Sequence, residues 1–216
     1  MTALPHLPSL PSDQPNEREH RRAIARTINA MLREEGLPHR WNTVSLPGNS
    51  GQLGGANDPT FKRVQRDSST SSNGVYAHVF APGVLKELFF CCTLPHSYAQ
   101  GSDLIAAVRW APQTADGAVA WGLEYTIANV DGVFGATDRR DQTFSAAAAL
   151  THQVSTFATI TGSGVEIGAA LLLRVYRDGA AAGDTNSLSA ILLGVDIYTE
   201  HDTRGSWAML DKWAGG

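Results

Sequence analysis

"AVAWGLEYTI", residues 118–127, alternates without a break. Val119, Trp121, Leu123, Tyr125 and Ile127 fall on one side of an extended chain; Ala118, Ala120, Gly122, Glu124 and Thr126 fall on the other. A period of two with large apolar residues on one side specifies a strand that buries one face. Working outward, "LKELFFCCTL" (85–94), "DLIAAVRW" (103–110), "HQVSTFATI" (152–160), "AALLLRVYR" (169–177) and "SAILLGVDIYTEH" (189–201) are further segments of strand length. In the second of these Leu104, Val108 and Trp110 share a face. Turn signals separate the segments: "PQTADG", "VDGVFG", "GSG" and "RDGAAAGD". Six or more long strands at these spacings specify an all-β fold, a β-sandwich or barrel with a jelly roll favoured. In 118–127 and 189–201 the odd-numbered face is apolar and the even-numbered face small or polar. One side of each sheet therefore enters the core, and the other meets water or another subunit. A face of small residues can pack closely against a copy of itself, which suits a symmetric oligomer.

The chain has 216 residues, enough for one domain and an extra segment. Hydrophobic residues make up 43% and charged residues only 18%, a balance that fits a turn-rich β protein better than a charged helical bundle. The net charge is -4, with no run of Lys or Arg long enough to act as a basic patch, which argues against nucleic acid as a direct partner. The two cysteines, Cys91 and Cys92, are adjacent, and neighbours on a strand point to opposite faces. A bond between them is geometrically poor, so a buried, reduced pair is expected. The opening "MTALPHLPSLPSDQP" lacks a basic start followed by an apolar core, and no uncharged apolar stretch is long enough for a bilayer. The expectation is a soluble protein made in the cytoplasm, without membrane insertion.

Three parts are expected along the chain: an N-terminal arm and anchoring helix over 1–40, a Gly/Ser-rich linker with short strands over 41–84, and a β-sandwich domain over 85–216. In the arm, Leu4, Leu7 and Leu10 each stand beside a proline. A helix is expected from Pro15 to Glu35, capped by Asp13 and stopped by Gly36 and Pro38. Its apolar residues Ile24, Ile28, Met31 and Leu32 form one narrow stripe. Such a helix needs a surface to lie on, either its own domain or a helical bundle between subunits. Those seven apolar residues are the candidate anchoring contacts. In the linker "GNSGQLGGANDP" is glycine-rich, but no helix follows it and the dinucleotide spacing is absent, so it reads as a loop. "TVSL" at 43–46 reads as a short strand.

The polar cluster "GVDIYTEHDTRGS" (194–206) invites a catalytic reading. On a strand Asp196, Tyr198 and Glu200 share one face, and Ile197, Thr199 and His201 the other. Ser206 lies beyond a turn, no G-x-S-x-G elbow occurs, and the seven histidines are scattered. The cluster reads instead as a strand end whose turn is held by Asp202 or Thr203. Trp121, Glu124 and Tyr125 combine aromatic rings with a carboxylate, as sugar sites do, though alternating aromatics are also what a core requires. Glycoside hydrolysis needs a second carboxylate, and none stands out. Arg174 and Arg177, near Asp178, are expected to form exposed ion pairs at a strand end. No catalytic residue, metal ligand or cofactor site emerges, so the residues favour a structural or binding role over an enzyme.

Three ordered motifs go further: "LPHSYAQGSDLIAAVRWAP" (94–112), "VAWGLEYTIANVDGVFG" (119–135) and "GVDIYTEHDTRGS" (194–206). Together with Arg177, Asp178 and Gly179 they resemble a β-rich domain of tailed-bacteriophage virion proteins. The helix "AIARTINAMLREEGLP" (23–38) followed by "NTVSL" resembles the opening of phage head and tail appendage proteins. The chain departs from that pattern at Ala107, Arg109 and Tyr198, where relatives often carry histidines, so any histidine-based metal site of theirs is not expected here. The resemblance implies a virion structural component, a tail fibre or other appendage, made in the host cytoplasm and assembled as a homo-oligomer with a trimer favoured. Its implied partners are other virion proteins: portal or adaptor, tail or capsid. The alternatives are a carbohydrate- or receptor-binding module meeting a host-surface glycan, or a capsid decoration protein.

Overall fold

The computed structural model describes residues 41–65 and 73–202, together with Ile24 and Thr27. The described chain is all-β. Its ten strands are β1 (Trp41–Pro47), β2 (Thr60–Gln65), β3 (Val75–Phe80), β4 (Leu85–Thr93), β5 (Leu104–Pro112), β6 (Ala118–Ala128), β7 (Asp138–Ser145), β8 (Gln153–Thr156), β9 (Ala170–Asp178) and β10 (Ala190–Glu200). The larger sheet runs β2-β3-β10-β5-β8 with β1 also on β10, and the smaller runs β4-β9-β6-β7. Strand β3 pairs with β10, β4 with β9, β5 with β8 and β6 with β7, all antiparallel. This nesting of outer pairs around inner ones, dealt alternately into two sheets, is a jelly roll.

The alternation read at 118–127 places its side chains as expected. Val119, Trp121, Leu123 and Tyr125 are buried between the sheets, and Ile127 packs against them. Opposite them, β5 contributes Leu104, Ala106, Val108 and Trp110. Trp110 and Trp121 meet edge to face, 6.1 Å between centroids, and Phe80 meets Trp121 at 5.1 Å. Such contacts add to the area these rings bury.

Several expectations need correction. The stretch 41–84 is more than a linker, because β1, β2 and β3 all pair into the larger sheet. Val44 and Leu46 pack on the core, and Phe80 is fully buried in it. The strand read over 152–160 is confined to Gln153–Thr156, although Phe157 and Ile160 still reach the core. Strands β2 and β7 were not legible, being polar edges. The odd-numbered face of β10 does not face the main core throughout: Ala190 and Leu192 enter it, and after an irregularity between Leu192 and Gly194 it is Val195 and Ile197 that do. Leu193 is the extra residue of this bulge.

No α-helix stands among the elements of the described residues. The expected helix falls on 1–40, of which only Ile24 and Thr27 are described, both in helical conformation. The rest of that segment, with Leu4, Leu7, Leu10, Ile28, Met31 and Leu32, lies outside the described residues. So does 203–216, with Ser206. No described helix is long and apolar enough to cross a membrane.

Candidate functional site

The jelly roll has two distinct ends. At one end the turns after β3, β5 and β9 meet, and Arg177 ties them together. Alternation along β9 sends Leu171, Leu173 and Val175 inward, and Arg177 follows them. Its guanidinium is fully buried. Nε and Nη2 donate to the two Asp184 oxygens at 2.8 and 2.6 Å. Nη1 donates to the carbonyls of Phe80 and Leu188 at 2.9 and 2.8 Å, and Nη2 to that of Asn186 at 3.0 Å. All five N–H donors are thus used. Asp184 also accepts from Ala120 N–H at 3.0 Å. The expected exposed pair near Asp178 is therefore wrong for Arg177. Its place on the inward face of β9 buries it, and its partner comes from the following loop.

At the opposite end Trp41 of β1 pairs with Glu200 of β10. Residues 1–40 and 203–216 both join the sandwich there. The loops after β4, β6 and β8 close the same end. Asn42 Nδ2 donates to Ser97 Oγ at 3.0 Å, and Asn129 Nδ2 to the Gly164 carbonyl at 2.8 Å. Tyr98 is buried beneath, its hydroxyl donating to the Ser102 carbonyl. Burial pushes its phenol up to about 12. The β6–β7 loop carries apolar residues into water here: Val133 is 92% exposed, with Val130 and Phe134 also exposed.

The three residues read as a sugar site are not brought together. Trp121 and Tyr125 are 1% and 5% exposed, inside the core, and cannot stack on a ligand. Glu124 points to the other face of β6, where Arg174 Nη1 reaches it at 2.9 Å and Arg174 Nη2 reaches Glu87 at 2.5 Å. One guanidinium thus holds both carboxylates. Beside this group the Tyr176 ring lies over Gly122, where a Cβ would stand 2.0 Å from Cζ. Arg174 and Arg139 sit over the ring, 4.5 and 5.3 Å from its centroid. Tyr176 donates to Asp141, and Arg139 pairs with the same carboxylate at 2.5 Å. Burial alone would raise the Asp141 carboxyl, yet the bonds from Tyr176 and Arg139 carry it below its usual value. The small residues of β6 therefore make room for a side chain from the next strand of the same chain.

The "GVDIYTEH" cluster lies on the outer face of the larger sheet. Asp196 is buried and fully engaged. Ser45 Oγ donates to Oδ1 at 2.7 Å, Tyr198 OH to Oδ2 at 3.3 Å, and Arg109 Nε pairs with Oδ2 at 3.2 Å. Gly194 lets Arg109 lie down, since a Cβ there would meet Nη2 at 2.9 Å. The positions where the resemblance implied histidines, 109 and 198, are thus a guanidinium and a phenol holding one carboxylate. Among the described residues no group of three or more His, Cys, Asp or Glu could hold a metal ion. Cys92 is buried, with its thiol pushed up to about 11 by burial, whereas Cys91 is exposed on the outer face, against the expectation of a buried pair.

No family model and no curated protein matches the chain. Among solved structures it is similar to the CBM36-1 domain of a multidomain xylanase from the hindgut metagenome of Trinervitermes trinervoides. That match has 12% identity and a TM-score of 0.36, over 72% of this chain and 96% of that one. A structure of infectious bursal disease virus, Gx strain, matches at 14% identity and TM-score 0.38, over 78% of this chain and 34% of the other. The tailspike protein 4 enzymatically active domain of bacteriophage CBA120 matches at 11% and 0.34, over 74% of this chain and 19% of that one. The chain thus spans about a third of the viral chain and a fifth of the tailspike chain. Identities and scores this low assign neither family nor activity, and the fold rests on the strand pairing itself.

Proposed function

We propose that the chain is a structural component of a phage virion, a tail fibre or other head or tail appendage. Its N-terminal segment anchors it and its β-sandwich projects as part of a homo-oligomer, with a trimer favoured. The observation that carries this reading is the polarity of the domain. Residues 1–40 and 203–216 join at one end, where Trp41 pairs with Glu200. Exposed Val130, Val133 and Phe134 stand at that end. The far end is closed by the Arg177 hub. A domain held at one end and sealed at the other suits attachment to a larger assembly. The motifs at 94–112, 119–135 and 194–206 support the same reading. Its partners are then other virion proteins, and it requires no cofactor.

The test is electron microscopy of particles assembled without this chain, with light scattering on the purified protein. The expected results are loss of one defined appendage and a mass that is a multiple of 23.1 kDa. Unchanged particles together with a monomer at micromolar concentration would overturn the proposal.

A further inference from the structure

Strands β2 and β3 form a ribbon at one edge of the larger sheet. Phe61 stands opposite His78, and Arg63 opposite Tyr76. Directly opposed residues share a face, so these four stand together, on the side from which Phe80 enters the core. The Phe61 ring lies 5.8 Å from that of Tyr76, tilted by 34°, and 5.0 Å from that of His78. Phe80 is fully buried, but Phe61 and Tyr76 are 53% and 48% exposed. His78 is only 7% exposed, and its Nδ1 has no hydrogen-bond partner among the described residues. Asp58, whose Oδ1 accepts from Gly55 N–H at 2.8 Å, is near enough for its charge to act on that imidazole.

We infer that this ribbon is a glycan-binding site, in which one pyranose ring stacks on Phe61 and Tyr76 and the exposed Arg63 of the same face donates to a hydroxyl on its rim. The faces of a pyranose are apolar C–H surfaces and its rim is hydroxyl. It therefore fits an aromatic plate beside a few placed polar atoms. A nucleobase would also stack, but single strands need a positively charged groove, and this chain carries a net charge of -4 with Asp58 beside the rings. Addition of a strand from a second copy is opposed by exposed Lys62 and Arg63 on β2, since edge charges block such pairing. The site also lies away from the attachment end. His78 is level with Leu192 on β10, eight residues from Glu200, roughly 26 Å at about 3.3 Å per residue. The inference goes beyond the structural role proposed above and holds whether or not the chain is carried on a particle.

The test titrates the full chain with hexasaccharides of glucose, galactose, mannose and xylose by calorimetry. At least one is expected to bind, with Phe61→Ala and Tyr76→Ala each weakening it tenfold or more and Glu124→Gln leaving it unchanged. In the unaltered protein the same sugar should shift the aromatic proton resonances of Phe61 and Tyr76, a readout that does not depend on the variants folding. Absence of binding by all four at millimolar concentration overturns the inference, as does binding that survives the double variant. A change in oligomer mass in Phe61→Ala with sugar binding intact identifies the face as a subunit contact and overturns it as well.

Discussion

Replacing Asp184 by Asn is the sharpest probe of the hub at the closed end. The substitution keeps the shape of the side chain and an oxygen for Ala120 N–H, but removes the charge facing Arg177. Both partners are buried, at 0% and 1% exposure, so water cannot take over. Breaking a buried pair from one side leaves an uncompensated charge, worth about 3–5 kcal/mol. For chains of this size about 1 kcal/mol corresponds to roughly 2–4 °C, so the midpoint should fall by roughly 6–20 °C. Arg177→Met should cost as much or more. It strands Asp184 and also strips the carbonyls of Phe80, Asn186 and Leu188 of their donor. The double variant Arg177→Met/Asp184→Asn removes both charges, and its loss should fall short of the summed single losses by about 2 kcal/mol or more. Urea unfolding of the four proteins at one fixed concentration measures this cycle. Additive losses, or an Asp184→Asn cost under about 1 kcal/mol, would refute the idea of a closed, water-free pair.

Gly122→Ala should destabilise by about 1–3 kcal/mol, because its Cβ would collide with the Tyr176 ring, and in a Tyr176→Ala background the same change should cost under about 1 kcal/mol; urea unfolding reads both. Trp110→Phe should cost about 1 kcal/mol more than Trp121→Phe, since Trp110 Nε1 donates to Ser155 Oγ at 3.0 Å whereas Trp121 Nε1 has no such partner. A thiol reagent at pH 8 should label Cys91 and spare Cys92 until the chain unfolds, which mass spectrometry of the labelled peptide distinguishes. Tyr98 has its phenol raised to about 12 in the fold, so its contribution is intact below about pH 10, the ordinary tyrosine value, and is lost as pH climbs from there towards 12. The urea midpoint should therefore fall between pH 9.5 and 11.5, and less steeply in Tyr98→Phe.

The sandwich was legible wherever a strand has one wet face and one dry face. β6 shows this most clearly, and its inward residues could be named from the period alone. β2 and β7 were not legible, because "TFKRVQ" and "DRRDQTFS" are edge strands whose pairing is supplied by β3 and β6 rather than by their own apolar content. The sugar-site reading failed for a related reason. In "WGLEY" the period of two puts Trp121 and Tyr125 on one face and Glu124 on the other. Residues close in sequence on a strand are thus divided between core and surface. Two rings that do stand in water, Phe61 and Tyr76, are fifteen positions apart and meet only through cross-strand register. Arg177 was misplaced because charge was taken to mean exposure, when parity with Val175 already pointed it inward.

Parity itself holds only while the ladder is regular, and β10 shows why it breaks where it does. This strand serves two partners on one edge, β3 along Ala190–Leu192 and β1 along Gly194–Glu200. The two partners are different segments of chain, and β1 turns away through Pro47 into Gly48, which lies so close to the Leu192 carbonyl that a Cβ would stand 2.6 Å from it. Level with that junction, the ladder to β5 on the other edge is irregular between Leu192 and Gly194. The extra residue, Leu193, exchanges the faces of the strand. Leu192 and Val195, of opposite parity, can then both enter the core, while Asp196 and Tyr198 turn outward to meet Arg109 and Ser45. The polar cluster that first suggests an active site is thus the outer face of a strand whose inner face has been reset by one residue. Its carboxylate is held by β1, β5 and β10 together, which fixes the end of the domain from which residues 1–40 and 203–216 depart.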